Sequence, residues 1–181
     1  MSTGVNQKEP TNVISRLKRG LAGYVSYLAA CEMNEAFSEY VLYEPMLRVL
    51  TARGYTVRCE YECPGMNRKG RGDKKRIDFY ATRDSIALAI EVKWAKSKTP
   101  NIKKDLEKLK ALHAVEPATY PLLLIFGVQS DLENLDLKSP DLPERSKARI
   151  ADLGITRFGC RVFQFKPSKV KSKKVKVRSE L

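Results

Sequence analysis

The chain has 181 residues, 43% of them hydrophobic and 8% aromatic, which suits one globular domain with a core and is too short for two of usual size. Its 34 Lys and Arg against 21 Asp and Glu give a net charge of +13, a balance that favours a polyanionic partner, nucleic acid or an anionic membrane, and says nothing about fold. Four cysteines (Cys31, Cys59, Cys63 and Cys160) form no CxxC pair and there is one histidine, His113, so a structural zinc is disfavoured and the thiols read as reduced, as in a cytoplasmic protein.

In chain order, residues 1–11 are polar and read as a flexible N-terminus. Residues 12–32 predict a helix with Leu17, Leu21, Tyr24 and Leu28 on one face. Its basic start (Arg16, Lys18, Arg19) and the run ending Leu28-Ala29-Ala30-Cys31 resemble a bacterial lipoprotein signal, which would be acylated at Cys31. That run is short and interrupted by Gly23, Tyr24, Ser26 and Tyr27, so the helix in a soluble, intracellular chain is the preferred reading. Residues 34–53 predict a second helix, stopped by Gly54, with Pro45 a point at which it kinks or splits.

Residues 55–63 alternate as a strand, with Cys59 and Cys63 on one face. Residues 64–75 form a loop. With Arg76 it carries six basic residues (Arg68, Lys69, Arg71, Lys74, Lys75, Arg76) and one acid, Asp73. Short strands follow at 76–82 and 86–95. Thr99 and Pro100 are placed to cap and open a helix with Ile102, Leu106, Leu109 and His113 on its inner face, His113 being a packed histidine rather than a ligand. The apolar run 122–126 reads as a buried strand, 146–153 as a helix ended by Gly154, and 160–165 as a last strand. From Lys166 to the end there are seven Lys and Arg and one Glu, a basic tail expected to be disordered when free. The expected organisation is one α/β domain over 12–165, between the N-terminal segment and the tail at 166–181.

The chemistry concentrates in residues 77–93. Along the strand 86–95, Ile86, Leu88, Ile90, Val92 and Trp94 share the core face, and Ala87, Ala89, Glu91, Lys93 and Ala95 share the other. Ile77 and Phe79 point inward, so Asp78 faces the opposite side and can approach Glu91 and Lys93 if the two strands pair. Two carboxylates and a lysine on adjacent strands suit phosphodiester hydrolysis: hard oxygen ligands hold Mg²⁺ or Mn²⁺, the metal acidifies bound water, and an ammonium beside it orients the water and offsets negative charge. The alternative is that Glu91 and Lys93 make a solvated face of an edge strand.

Asp78, twelve intervening residues (79–90) and then Glu91-Val92-Lys93 resemble the PD-(D/E)XK nuclease superfamily, which includes restriction endonucleases and Holliday-junction resolvases. Ile77 stands where the family name has proline. The resemblance spans roughly residues 34–130. It implies a restriction-endonuclease-like core of helix, three strands, helix and strand around a central mixed sheet, here with an added N-terminal helix and a C-terminal helix and strand. It further implies a metal-dependent DNA endonuclease that leaves a 5′-phosphate. Asp78 and Glu91 would bind the metal and Lys93 would assist the attacking water. A helix glutamate would complete the metal ligands, Glu44 fitting best, with Glu39 as runner-up and Glu35 a third candidate. The loop cations (Arg68, Lys69, Arg71, Lys74, Lys75 and Arg76) and the tail would contact phosphates, with Lys96, Lys98, Lys103 and Lys104 in support. A homodimer is compatible with cutting both strands. The competing reading from another class is a nucleic-acid-binding or assembly module that keeps the nuclease fold without catalysis.

Overall fold

In the computed structural model, residues 9–33, 37–66, 74–153 and 155–167 are described. Arg68, Lys69, Arg71, Gly154, Glu35 and the tail beyond residue 167 lie outside them, as do residues 1–8.

The chain folds into three layers. The first helix, α1 (Glu9–Ala30), starts three residues earlier than its apolar pattern predicts. Val13, Leu17, Leu21 and Val25 recur every four residues and are fully buried, so the helix lies on the sheet as an amphipathic stripe. No helix among the described residues is long and apolar enough to cross a membrane.

The predicted second helix divides. A 3-10 turn spans Glu39–Leu42 and α2 spans Tyr43–Thr51. Pro45 causes no break because it sits in the first turn of α2, where its missing N–H has no partner to lose. At the far end Gly54 (φ +76°) takes the left-handed position. Its N–H reaches Thr51 O at 2.9 Å and that of Tyr55 reaches Leu50 O at 3.1 Å, the paired bonds of a Schellman stop.

Among the described residues six strands follow: β1 (Thr56–Glu62), β2 (Arg76–Arg83), β3 (Ile86–Ala95), β4 (Tyr120–Val128), β5 (Glu144–Ala151) and β6 (Phe158–Gln164). They form one sheet in the order β1-β2-β3-β4-β6-β5. Only the β3–β4 pair is parallel. Their connection carries α3 (Lys103–Val115), as a parallel pair requires a crossover. The fold is therefore mixed α/β. A short α4 (Gln129–Glu133) follows β4.

Two cores sandwich the sheet. On one face Leu17, Leu21, Met46 and Leu50 meet Phe79, Leu88, Ile90, Val92, Leu124 and Phe126. On the other, Leu109, Leu112 and Leu132 meet Ala89, Leu123, Ile125 and Phe163. The alternation read from β3 therefore holds on both faces. Each such fully buried large apolar side chain stabilises the fold by about 1.5–3 kcal/mol.

Three expectations are corrected. The α3 helix begins at Lys103, beyond Thr99 and Pro100, with Asn101 Oδ1 accepting the Lys103 N–H at 3.2 Å. Of residues 146–153, expected to be a helix, 146–151 belong to the edge strand β5, antiparallel to β6 through a bulged register; its exposed cations are the usual dress of a sheet edge. Cys59 and Cys63 do not share a face: Cys59 is exposed and Cys63 buried, for a reason found at Glu60 below.

Gly159 reports on the β5 assignment. A Cβ there would lie 2.6 Å from Arg149 O and 2.4 Å from Ile150 Cδ1. Gly159→Ala is expected to destabilise the protein by about 1–3 kcal/mol, the usual cost of overpacking, read by thermal melting. A neutral substitution would contradict the β5–β6 pairing.

Candidate active site

The site forms where β2 and β3 part company. Their ladder runs from Arg83↔Ile86 to Phe79↔Ile90, and one further step in that register sets Asp78 opposite Glu91. There the backbone pairing stops. Asp78 Oδ2 accepts the Val92 N–H at 2.7 Å, so a side chain takes the place of a strand carbonyl and wedges the strands apart.

The neighbouring strand adapts. Glu60, across from Asp78, adopts φ +51°, a left-handed conformation uncommon for a residue with a side chain. This breaks the period of two. Phe79 packs in the core under α1 and α2, whereas Ile77 packs in the core under α3. The expectation that Ile77 and Phe79 point the same way is thus corrected: Asp78 sits at the switch between faces. From α2, the Tyr43 hydroxyl lies 2.7 Å from Glu60 Oε1 and 3.3 Å from Asp78 Oδ1. Burial, and then Glu60, push the Tyr43 pKa up, so it stays a neutral donor.

Glu91 is 1% exposed and its strand is interior to the sheet, which removes the reading of a solvated edge. Lys108 of α3 donates to its Oε2, while Oε1 is buried without a hydrogen-bond partner among the described residues. Burial, and next the nearby Asp78, push the Glu91 pKa up to about 9. Burial likewise raises Asp78 to about 6, against the opposing effect of the Val92 N–H.

Lys93 projects two residues on. Its Nζ lies 3.2 Å from Glu39 Oε1 and 3.7 Å from Asp105 Oδ2. Burial draws its pKa down, but Asp105 and Glu39 outweigh it and hold Lys93 protonated. Glu39 Oε1 also accepts the Trp94 N–H at 3.3 Å. Phe37 fixes that approach by packing on Trp94 and Phe158 with centroids 5.2 and 5.1 Å apart. Asp105 lies 3.7 Å from Lys108 as well. Carboxylates and ammoniums therefore alternate through Glu39, Lys93, Asp105, Lys108 and Glu91.

Glu44 is not in this set. It is exposed in the first turn of α2 and pairs with Arg48 four residues on. The helix carboxylate of the site is Glu39, because the chain enters α2 through the 3-10 turn and brings Glu39 to β3. Asp105 and Lys108 were not anticipated; the signal was two charged residues three apart flanking the apolar stripe Ile102, Leu109 and Leu112 on α3.

Two adjoining clefts, about 590 and 650 Å³, open over the site and share Glu39, Tyr40, Lys104 and Asp105. Their walls hold Lys74, Lys75, Arg76 and Lys96. Lys98 and Lys103 do not line them.

Among the described residues no group of three His, Cys, Asp or Glu is arranged to hold a metal ion. The donor set nonetheless fits a hard divalent cation. The buried Glu91 and the half-buried Asp78 stand opposite each other in the strand register, and one oxygen of Glu91 lacks a partner among the described residues. Mg²⁺ is held by one or two carboxylates plus water and substrate phosphate rather than by a full protein cage. Comparison with known proteins adds no assignment: no family model, no curated protein and no solved structure matches the chain.

The raised Glu91 pKa has a sign that melting can read. Between the ordinary glutamate value of 4.5 and about 9, the folded state holds a proton the unfolded state has released. Stability therefore falls as pH rises through that window. Metal-free Glu91→Gln is expected to lose much of that fall and to melt higher than wild type near pH ~8. An equally pH-sensitive variant would contradict the account of Glu91.

Proposed function

We propose that this chain is a metal-dependent nuclease of the restriction-endonuclease-like, PD-(D/E)XK kind, hydrolysing phosphodiester bonds in DNA. The observation that carries the reading is the buried Glu91, one oxygen unpartnered, set opposite Asp78 with Lys93 two residues along the same strand. The element order supports it as well: helix, three antiparallel strands, a helix, then a strand parallel to β3.

In this reading Asp78 and Glu91 hold Mg²⁺ or Mn²⁺. Such an ion, when bound, acidifies a coordinated water and offsets charge on the phosphate. Lys93 orients the attacking water and stabilises the negative charge that develops. Glu39 and Asp105 hold the Lys93 ammonium in place. Lys108 holds Glu91 while no cation is present and adds positive charge near the scissile phosphate. Lys74, Lys75 and Arg76 draw the polyanion into the cleft.

Incubation of the purified protein with plasmid DNA and Mg²⁺, Mn²⁺ or EDTA tests this. Cleavage is expected with the metals and not with EDTA. Asp78→Ala, Glu91→Ala and Lys93→Ala should each lower the rate by about a hundredfold or more. Glu39→Gln, which touches the site through Lys93, should cost about 10–100-fold, and Glu44→Ala should be close to wild type. Full activity in Asp78→Ala or Lys93→Ala would sink the assignment. Salt-dependent DNA binding with no cleavage under any divalent ion would favour the inactive binding module.

A further inference from the structure

The hydrolytic reading leaves the far side of the molecule unused. There, α1 crosses beside β5, the sheet edge opposite β1. β5 is three strands from β3, about 14 Å across the sheet at ordinary strand spacing. Thr11, Ser15, Lys18 and Ala22 recur at helical spacing on the α1 stripe that faces β5. Small and hydroxyl-bearing side chains on that stripe leave room, and a groove of about 650 Å³ runs along the junction.

Its walls are Thr11, Ser15 and Lys18 from α1 and Arg145, Lys147 and Arg149 from β5, with no acidic residue among those lining it. Arg19 and Arg149 continue the lining into an adjoining cleft. Glu144, the nearest acid on β5, is engaged by Arg161 through two bonds of 3.0 and 2.7 Å. Asp152 is taken by Arg157 at 2.9 Å. Among the described residues Arg145 reaches only the Thr11 hydroxyl, at 3.3 Å, and neither Lys147 nor Arg149 is in an ion pair.

Lys18 distinguishes the groove from an edge merely dressed with charge. It is 4% exposed and donates to Lys147 O at 2.7 Å, tying the two walls together. Burial depresses its pKa against the opposing pull of Cys160 and Glu144, with Arg149 and Arg19 adding to the depression. A cation placed in water to discourage edge pairing has no such cost. Positive charge gathered around a half-enclosed groove with donor hydroxyls fits a ligand that carries repeated anions and accepts hydrogen bonds along its length.

We infer that the α1–β5 groove is a second nucleic-acid contact, which grips the phosphodiester backbone with Arg145, Lys147 and Arg149, outside the catalytic cleft and on walls that Lys18 ties together. The contact does not depend on hydrolysis and is read in EDTA.

Fluorescence anisotropy with labelled single-stranded DNA, duplex DNA and RNA, over a range of salt, tests it. Arg145→Gln/Lys147→Gln/Arg149→Gln should weaken binding of at least one of these about tenfold or more at 0.15 M salt. It should also lower the magnitude of the log–log salt slope by about 0.7–0.9 per lost phosphate contact. Arg145→Lys/Arg149→Lys, which keeps the charge, should retain most of the affinity, and circular dichroism should show both variants folded. Unchanged affinity and slope for all three probes in the folded triple variant would overturn the inference. Loss of binding to 30% phosphatidylserine vesicles, with oligonucleotide binding intact, would overturn it in favour of a membrane surface.

Discussion

Glu91 occupies the position on which the arrangement of the site depends: a carboxylate 1% exposed, on a strand interior to a six-stranded sheet. An isolated ionised group there would cost several kcal/mol. The surroundings answer that cost without cancelling it. Lys108 reaches one oxygen from α3, Asp105 steadies Lys108, and the other oxygen has no partner. The nearest carboxylate, Asp78, raises the cost further. A fold built for stability alone would place an apolar residue at this position. A buried carboxylate with a second, half-buried one opposite it is instead what a hard cation rewards.

Much of the local backbone follows from the same demand. Asp78 approaches Glu91 only because the β2–β3 ladder stops, and the Val92 N–H is satisfied by Asp78 itself. The left-handed Glu60 and the exchange of faces between Ile77 and Phe79 accompany that opening. Backbone strain of this kind concentrates at functional sites. On the other flank, Phe37 packs against Trp94 and Phe158 and brings Glu39 to Lys93. One end of the sheet thus binds charge while the remainder is closed by Leu, Ile and Val on both faces.

β3 is legible residue by residue because large apolar side chains (Ile86, Leu88, Ile90, Val92 and Trp94) stand at every second position, with Ala, Glu or Lys between them. The shared face of Glu91 and Lys93 follows from that spacing, whereas Asp78 rests on an inward Ile77 and Phe79 pair that the structure splits between two cores, and it stands opposite Glu91 through the strand register instead. Where local rules yielded to tertiary ones, the reading failed. The resemblance favours Glu44 over Glu39, whereas the chain turns through a 3-10 segment before Pro45 and brings Glu39 to β3. The strand β5 was taken for a helix because its charged residues face water on an edge and leave no strong period of two. The switch at Glu60 is invisible to any pattern of fixed period. Asp105 and Lys108 were hidden on a helix whose polar positions are mostly solvated.

The central claim is that Asp78 and Glu91 form a two-carboxylate cation site, with Lys108 bonded to Glu91 only while no cation is present. A crystal structure of the protein soaked in Mn²⁺, read by anomalous scattering, tests it most directly. The account predicts a peak within about 2.0–2.3 Å of oxygens from both residues, with the Lys108 ammonium displaced from Glu91. A Mn²⁺ ion bound elsewhere, or no peak there with the Lys108–Glu91 pair intact, would contradict it.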